Sequence, residues 1–400
     1  MYYVLRTPHC TTQKFYFLIK THKKDFKIRP IVSNIGGPFE RIGWLLQRIL
    51  QPLTKHVAAH LESTSSFLDK LEMANLNPCN NQILSFDVIS LYTNVPISEA
   101  IEVACDYTTE YKPETFNLTV VHIKKFLNII LHNNVFSFDD KVFKQKEGLA
   151  MGSKIAPVLA ILVMDKLERK TVHDSTFFST NIYLRYVDDT FITIQKDANP
   201  ISLLEKLNST HPSIKFEIEL PDQTTGFLPF LDTQVALDQT KKFRFKLYTK
   251  TANKNLFVNQ KSAVPQSTKL NSAIAEYSRA LKNSSNNNLI EESSSQITDK
   301  LLNNGYSQEF ALKCKNRALH PKERRKIVNN FTIGLPFITD NFNKRIRPSL
   351  QRSSLKIIQS TPEAVRSPIF LIKSIERKGN VRNESASSVT ARQTRASSIM

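Results

Sequence analysis

The sequence predicts an α+β protein, and three observations lead there. Short runs rich in β-branched and aromatic residues, among them ILSFD, YLRYV and FRFKL, read as strands. Longer apolar runs such as VLAILVMDKLE read as helices. A content of 40% hydrophobic residues, with 25 Phe, supplies a substantial core for a 400-residue chain, which has room for two or three domains.

Taken in order, FYFLIKTHKKDFKIRPIVS predicts two strands, 15–19 and 28–33, about a basic turn, and Gly36-Gly37-Pro38 breaks the pattern. Helices are expected over 39–53 and 63–74. ILSFDVISLYTNVP reads as strand then turn, and Pro96 with Ser98 and Glu99 opens a helix to about residue 108. A third helix is expected near 119–132, and FSFDDKVFKQ reads as a hairpin. Residues 148–153 form a small-residue loop, after which Pro157 opens VLAILVMDKLE. YLRYVDDTFIT then reads as a hairpin with two aspartates at its bend. More strand follows over 214–220 and 227–235, and again in the basic KKFRFKLYTK. Beyond about Thr251 the chain turns helical and polar, with NSSNNN and EESSSQ marking a linker between helical pieces. From about Asn341 Ser, Arg and Pro accumulate, and the last twenty residues read as disordered.

Lys and Arg outnumber Asp and Glu 55 to 36, for a net charge of +19 and a pI near 9.7. That balance favours a polyanionic partner, nucleic acid ahead of an anionic membrane surface. No run approaches the roughly 18 apolar residues of a membrane span. The N-terminal MYYVLRTPHCTT lacks the apolar stretch of a signal peptide, so the expectation is a soluble intracellular protein without a membrane partner. Cys10, Cys79, Cys105 and Cys314 lie far apart and form no CxxC pair, which argues against a zinc site or a disulfide framework.

Asp188 and Asp189 oppose the strand propensity of their own run. An ordinary polar turn is one reading. The other is a hairpin tip holding a divalent metal, and it needs a third carboxylate. Asp87 is the candidate, since it too ends an apolar strand with a charge; two unrelated strand-end aspartates are the alternative. Successive strand residues point to opposite faces, so both members of the pair approach a metal only at the bend. Tyr92, five positions after Asp87, is either a core aromatic or a ring that crowds a sugar 2′-position. Gly148 and Gly152 let backbone approach a nucleotide closely, with Ser153 as a hydroxyl donor. Lys20 and Arg29 straddle the first turn, where they either grip a triphosphate together or form a solvated basic hairpin.

With these pieces in order the chain resembles a reverse transcriptase: a basic hairpin with RPIV, a strand with FDVISLY, a loop with GLAMGS and a hairpin with YVDD. More narrowly it is similar to the polymerases of Penelope-like retroelements. LIKTHKK, IRPIVSNIGGP, SFDVISLYTNVPI, GLAMGSKIAPVLA, RYVDDTF, IKFEIE and LPFLDTQV carry that likeness over about 15–235. A weaker likeness continues through FRFKLYTKTANKNLF, the helix at 269–281 and LLNNGYS.

The resemblance implies a right-hand polymerase fold with a ferredoxin-like palm, short fingers and a helical thumb. It puts the fingers at 1–75, the palm at 76–250, the thumb at 251–335, and a basic connector and tail at 336–400. It implies an RNA-directed DNA polymerase that takes an RNA template, a DNA primer and dNTPs, with two Mg²⁺ ions or Mn²⁺ in their place. Asp87, Asp188 and Asp189 become the catalytic metal ligands, assisted by the backbone carbonyl of Val88. Lys20 and Arg29 fall on triphosphate-binding positions, Tyr92 on the sugar gate, and Gly152 and Ser153 on the loop that touches nucleotide and template. Residues 227–235 fall near the primer-gripping hairpin, and Lys215 on a proton donor to pyrophosphate.

A nuclear location follows for a functional enzyme of this kind. KERRK at 322–326 is a nuclear signal, a phosphate contact or a solvated helix face. The first finger strand begins near residue 15 and the GIY-YIG endonuclease that many relatives carry has no visible counterpart, so a shortened copy is expected. Two other readings stay open. One is a catalytically inactive nucleic-acid-binding remnant, against which the three intact carboxylates argue. The other is an RNA-directed RNA polymerase, which the ring at Tyr92 argues against.

Overall fold

The computed structural model describes Leu5 and residues 9–19, 28–74, 80–171, 182–238, 242–250, 256–321, 331–336, 338–351 and 355–360. The chain divides into two compact units, Met1–Phe257 with Ile274–Leu319, and Val258–Ala273 with His320–Met400.

In the first unit β1 (Gln13–Ile19) and β2 (Ile28–Ser33) pair antiparallel with Leu18 opposite Arg29. The expected turn between them, Lys20 included, lies outside the described residues. Helix α1 (Glu40–Leu50) runs into a 3₁₀ turn at Gln51–His56, and α2 (Thr64–Met73) starts at a reciprocal Ser63–Ser66 capping box. After β3 (Asn81–Val88) come a single turn, α3 (Leu91–Asn94), then α4 (Ile97–Tyr111) and α5 (Val120–His132), the last capped by Thr119. The hairpin of β4 (Val135–Phe138) and β5 (Lys141–Lys144) precedes α6 (Ala156–Thr171). Next are β6 (Ile182–Tyr186), β7 (Asp189–Gln195), α7 (Pro200–Thr210) and β8 (Phe216–Glu219). A meander of β9 (Leu228–Phe230), β10 (Thr233–Leu237) and β11 (Phe243–Leu247) follows. Three helices complete the list to residue 319: α8 (Gln266–Lys282), which begins in the second unit, α9 (Asn287–Asn303) and α10 (Gln308–Leu319).

The central sheet has the order β6-β7-β3-β8 and is antiparallel throughout. Its middle strand shows why. Alternation in NQILSFDV sends Leu84, Phe86 and Val88 into a core shared with α1, α4, α5 and α6, while Ile83 joins Phe191, Phe67 and the meander residues Phe230, Val235 and Phe245 on the other face. Helix α6 is buried almost all round from Ala156 to Leu167, as a helix apolar on every face must be. An antiparallel sheet with α1, α4, α5 and α6 on one face and α2 with the β9–β11 strands on the other agrees with the α+β fold that the resemblance implied. A second sheet, β2-β1-β4-β5, takes its last two strands from beyond residue 75.

Four elements differ from expectation. PISLLEKLNST forms α7, which the strand-oriented reading passed over although Asn199 caps it and Pro200 opens it. Residues 227–235 are two paired strands, because Leu231 at φ +53° reverses the chain between β9 and β10. EESSSQ is no linker: it sits inside α9, where Ser293 and Ser294 are buried and Ser293 Oγ lies 3.1 Å from Ser284 Oγ. In the second unit β12 (Phe331–Pro336) and β13 (Leu355–Ser360) pair in parallel, with α11 (Asp340–Gln351) between them in the chain, where only a connector was expected. KERRK and the last twenty residues lie outside the described residues. Among the described residues no helix is long and apolar enough to cross a membrane.

Candidate active site

Strands β6 and β7 form a tight hairpin in which Tyr186 faces Asp189 across a two-residue turn of Val187 and Asp188. Val187 has φ +56°, a left-handed conformation that a β-branched residue adopts only under constraint. The Val88 N–H donates to the Asp188 carbonyl at 3.0 Å and ties the turn to β3. In the ladder Asp189 lies directly opposite Asp87, and Asp87 directly opposite Glu217 of β8. Residues so paired share a face, so three strands present one row of carboxylates, with Asp188 beside it in the turn.

Crowding shows in the titration. Burial, then the charges of Asp188 and Asp87, pushes the Asp189 carboxyl up to about 7, against the opposing pull of Lys250. Glu219 is raised too, by burial and then by Asp87. Among the described residues no three acidic, His or Cys side chains converge closely enough to enclose a cation by themselves. Hard carboxylate oxygens concentrated in one repulsive field are nevertheless the donor set that Mg²⁺ or Mn²⁺ takes, and the remaining positions are those that water and substrate phosphate fill. The residues therefore fit such an ion in chemistry.

A cleft of about 530 Å³ opens over Asp87, Glu217 and the Asp188 turn, and Asp189 is not among the residues that line it. Asp87, Val88, Asp188 and Glu217 line it together with Tyr92, Gly152, Ser153 and, from β2, the exposed Arg29. Tyr92 is half-buried, and burial followed by the Asp188 charge raises its phenol above the ordinary value. Ser153 Oγ is buried with no hydrogen-bond partner.

The two glycines also let two segments of backbone approach each other. A Cβ on Gly148, at φ +74°, would lie 2.5 Å from the Thr93 carbonyl oxygen, and one on Gly152, at φ +117°, would lie 2.3 Å from that of Val32. Their close approach is to protein backbone, and the Val32 N–H donates to the Met151 carbonyl at 2.8 Å beside it. Lys154 fastens the same loop to the start of α1 through Glu40, 3.3 Å away.

Lys20 lies outside the described residues. The Lys215 ammonium donates to the carbonyls of Asn208 and His211 at 2.5 and 2.9 Å, at the end of α7. Sequence reasoning missed Glu217, whose place in the row depends on register. It also missed Arg185, the basic residue inside YLRYVDD, which is fully buried against Glu168 of α6 with Nε–Oε1 at 2.5 Å and Nη2–Oε2 at 3.0 Å. An arginine within a run of strand-forming residues was the available signal.

A family profile described as reverse transcriptase (RNA-dependent DNA polymerase) matches residues 21–225, about half of the chain, and one described as animal helix-turn-helix domain matches residues 256–316. No curated protein matches. Among solved structures, the RNA-dependent RNA polymerase of a human picobirnavirus is similar at 13% identity and TM-score 0.49, over 78% of this chain and 62% of that one. Telomerase from Candida albicans in complex with a fragment of telomeric RNA is similar at 11% identity and TM-score 0.48, over 79% and 64%. Apo telomerase from Candida tropicalis, truncated from its C-terminal domain, is similar at 14% identity and TM-score 0.42, over 59% and 55%. The chain thus spans less than two thirds of the length of each of these structures.

Proposed function

The chain belongs to the reverse transcriptase (RNA-dependent DNA polymerase) family, and from that premise we propose that it is the RNA-directed DNA polymerase of a Penelope-like retroelement. It copies an RNA template by adding deoxynucleotides to a DNA primer, and as such acts in the nucleus. The observation that carries this reading is the pairing of Asp189 with Asp87, beside Asp188, at a cleft that also receives Arg29 and Tyr92.

In this reading residues 1–75 are fingers, 76–250 palm, 251–335 thumb and 336–400 connector and tail. Asp87, Asp188 and Asp189, with the Val88 carbonyl, would hold two Mg²⁺ ions, or Mn²⁺, which would supply charge neutralisation at the α-phosphorus and a lowered pKa of the primer 3′-hydroxyl. The chain's own residues do the positioning. Arg29, with Lys20, grips the triphosphate by charge-assisted hydrogen bonds. Tyr92 fills the space that a ribose 2′-hydroxyl needs, and Gly152 and Ser153 form the floor under the base pair. The 3′-hydroxyl gives its proton to water as its oxygen joins the α-phosphorus and the bond to pyrophosphate breaks. In this reading the β9–β10 hairpin supports the primer. Basic side chains hold the template-primer through phosphates, so affinity falls steeply with salt.

Primer extension on an RNA template, with deoxynucleotides and then ribonucleotides, tests the proposal against an Asp87→Asn control. Extension with deoxynucleotides by the native chain alone is expected, and Tyr92→Ala admits ribonucleotides. Preference of the native chain for ribonucleotides would reassign it as an RNA polymerase. Absence of extension with salt-sensitive template binding intact would reassign it as an inactive nucleic-acid-binding protein.

A further inference from the structure

We propose that Arg185 is a positioning residue for the catalytic turn, holding the left-handed Val187 peptide in place from a buried anchor on α6; the inference rests on the polymerase reading above.

Arg185 is 0% exposed and Glu168 3% exposed, which is an expensive place for two charges. A buried pair of this kind contributes little net stability compared with apolar side chains of the same volume, so its retention calls for another reason. What no apolar pair supplies is a donor for the turn. Arg185 Nη1 donates to the Val187 carbonyl at 3.1 Å, while Nη2 also reaches the Ile161 carbonyl of α6 at 3.2 Å. The bidentate contact with Glu168 fixes the plane of the guanidinium, and the Tyr183 hydroxyl donates to the same carboxylate at 2.9 Å. The Arg185 backbone is held as well, its N–H on the Ala59 carbonyl at 2.7 Å and its carbonyl accepting from the Leu61 N–H at 2.8 Å.

Val187 at φ +56° does not favour the turn by itself, so the surroundings must impose it. Both turn carbonyls are restrained, that of Val187 by Arg185 and that of Asp188 by the Val88 N–H. Removing the first restraint lets the peptide relax and carries Asp188 away from Asp87. The requirement is for a fixed donor in a fork, which Arg meets and the single ammonium of Lys does not.

The test compares the full chain with Arg185→Lys, Val187→Gly and the double variant. Glycine takes positive φ without strain, so it removes the need for the clamp. Arg185→Lys is expected to raise the Mg²⁺ concentration for half-maximal primer extension by about 10- to 100-fold and to lower kcat, with KM for template-primer unchanged. The double variant recovers most of that loss. A folded Arg185→Lys with native Mg²⁺ dependence, or a loss that Val187→Gly fails to rescue, overturns the proposal and leaves the pair a packing device. Should the native chain fail to extend primers, the polymerase reading fails while the clamp stays testable. The Val88 amide bonds to the Asp188 carbonyl, and its hydrogen exchange without metal should quicken in Arg185→Lys; unchanged exchange overturns the clamp.

Discussion

The sheet β6-β7-β3-β8 is covered on both faces, by α1, α4, α5 and α6 on one and by α2 with the β9–β11 meander on the other, whereas β2-β1-β4-β5 leaves Phe17, Leu18, Ile28 and Val142 exposed. The first presents the carboxylates, and its turn is restrained by side chain and backbone alike. The second delivers Arg29 and meets the palm at the Val32–Met151 hydrogen bond, where Gly152 makes room. Under the proposed function the contrast is a division of labour: the carboxylates sit on the enclosed sheet, and Arg29 sits on the one with fewer supports. Substitutions in the first should act on kcat, and those in the second on KM.

The largest effect tests the enclosed sheet. Asp87→Asn is expected to lower kcat by roughly a thousandfold or more, with template-primer binding retained in a filter or fluorescence assay. Next comes the contact between the sheets. Gly152→Val adds backbone strain of about 1–3 kcal/mol and collides with the Val32 carbonyl, so kcat/KM for dNTP falls about 10- to 100-fold. That loss should appear mainly in KM; a loss confined to kcat would erase the distinction between the sheets.

A smaller effect concerns stability. The Asp189 carboxyl is raised from 3.8 to about 7 in the fold, so the protonated form is favoured there. Its contribution is fully present below pH 3.8 and is lost as pH rises through about 7. Asp189→Asn should therefore gain in Tm over the native chain as pH rises across that window, with the gain level above it, and Mg²⁺ should shrink the difference by stabilising the native chain. Calorimetry from pH 4 to 8 gives the answer. The smallest effect is at Lys215. Lys215→Met should cost about 1 kcal/mol of stability by uncapping α7, with primer extension within about twofold of native. A kcat loss much larger than that, together with a changed pH profile, would support Lys215 as a proton donor.

Much of the enclosed sheet was legible because its signals are local. The alternation in NQILSFDV and the charge breaking YVDD are visible without knowing any neighbour, and the strands they predict are present. The hairpin of β4 and β5 and most helix starts were readable for the same reason, from caps and prolines. What escaped depends on partners distant in the chain. Glu217 looks like any strand glutamate until β8 is aligned on β3, and Arg185 looks misplaced until Glu168 is across from it. EESSSQ misled because serines suit both linkers and close packing, and only Ser284 beside Ser293 decides between them. Gly148 and Gly152 were singled out for close approach, and the Thr93 and Val32 backbone that comes close to them could not be read from the sequence.

The carboxylate row has a further consequence for how the chain acquires its shape. Its members come from strands that meet only after long stretches of intervening sequence: at the far end of the same ladder the Gln82 amide donates to the Gln195 carbonyl, 113 positions away. Pairings of that separation close late and slowly in folding. On the ribosome β3 emerges well before β7 and β8, so its neighbours are missing while the helices between are already forming. A chain ending just before β8 would contain all three aspartates and still leave β3 with a bare edge, ready to pair with another unfinished copy.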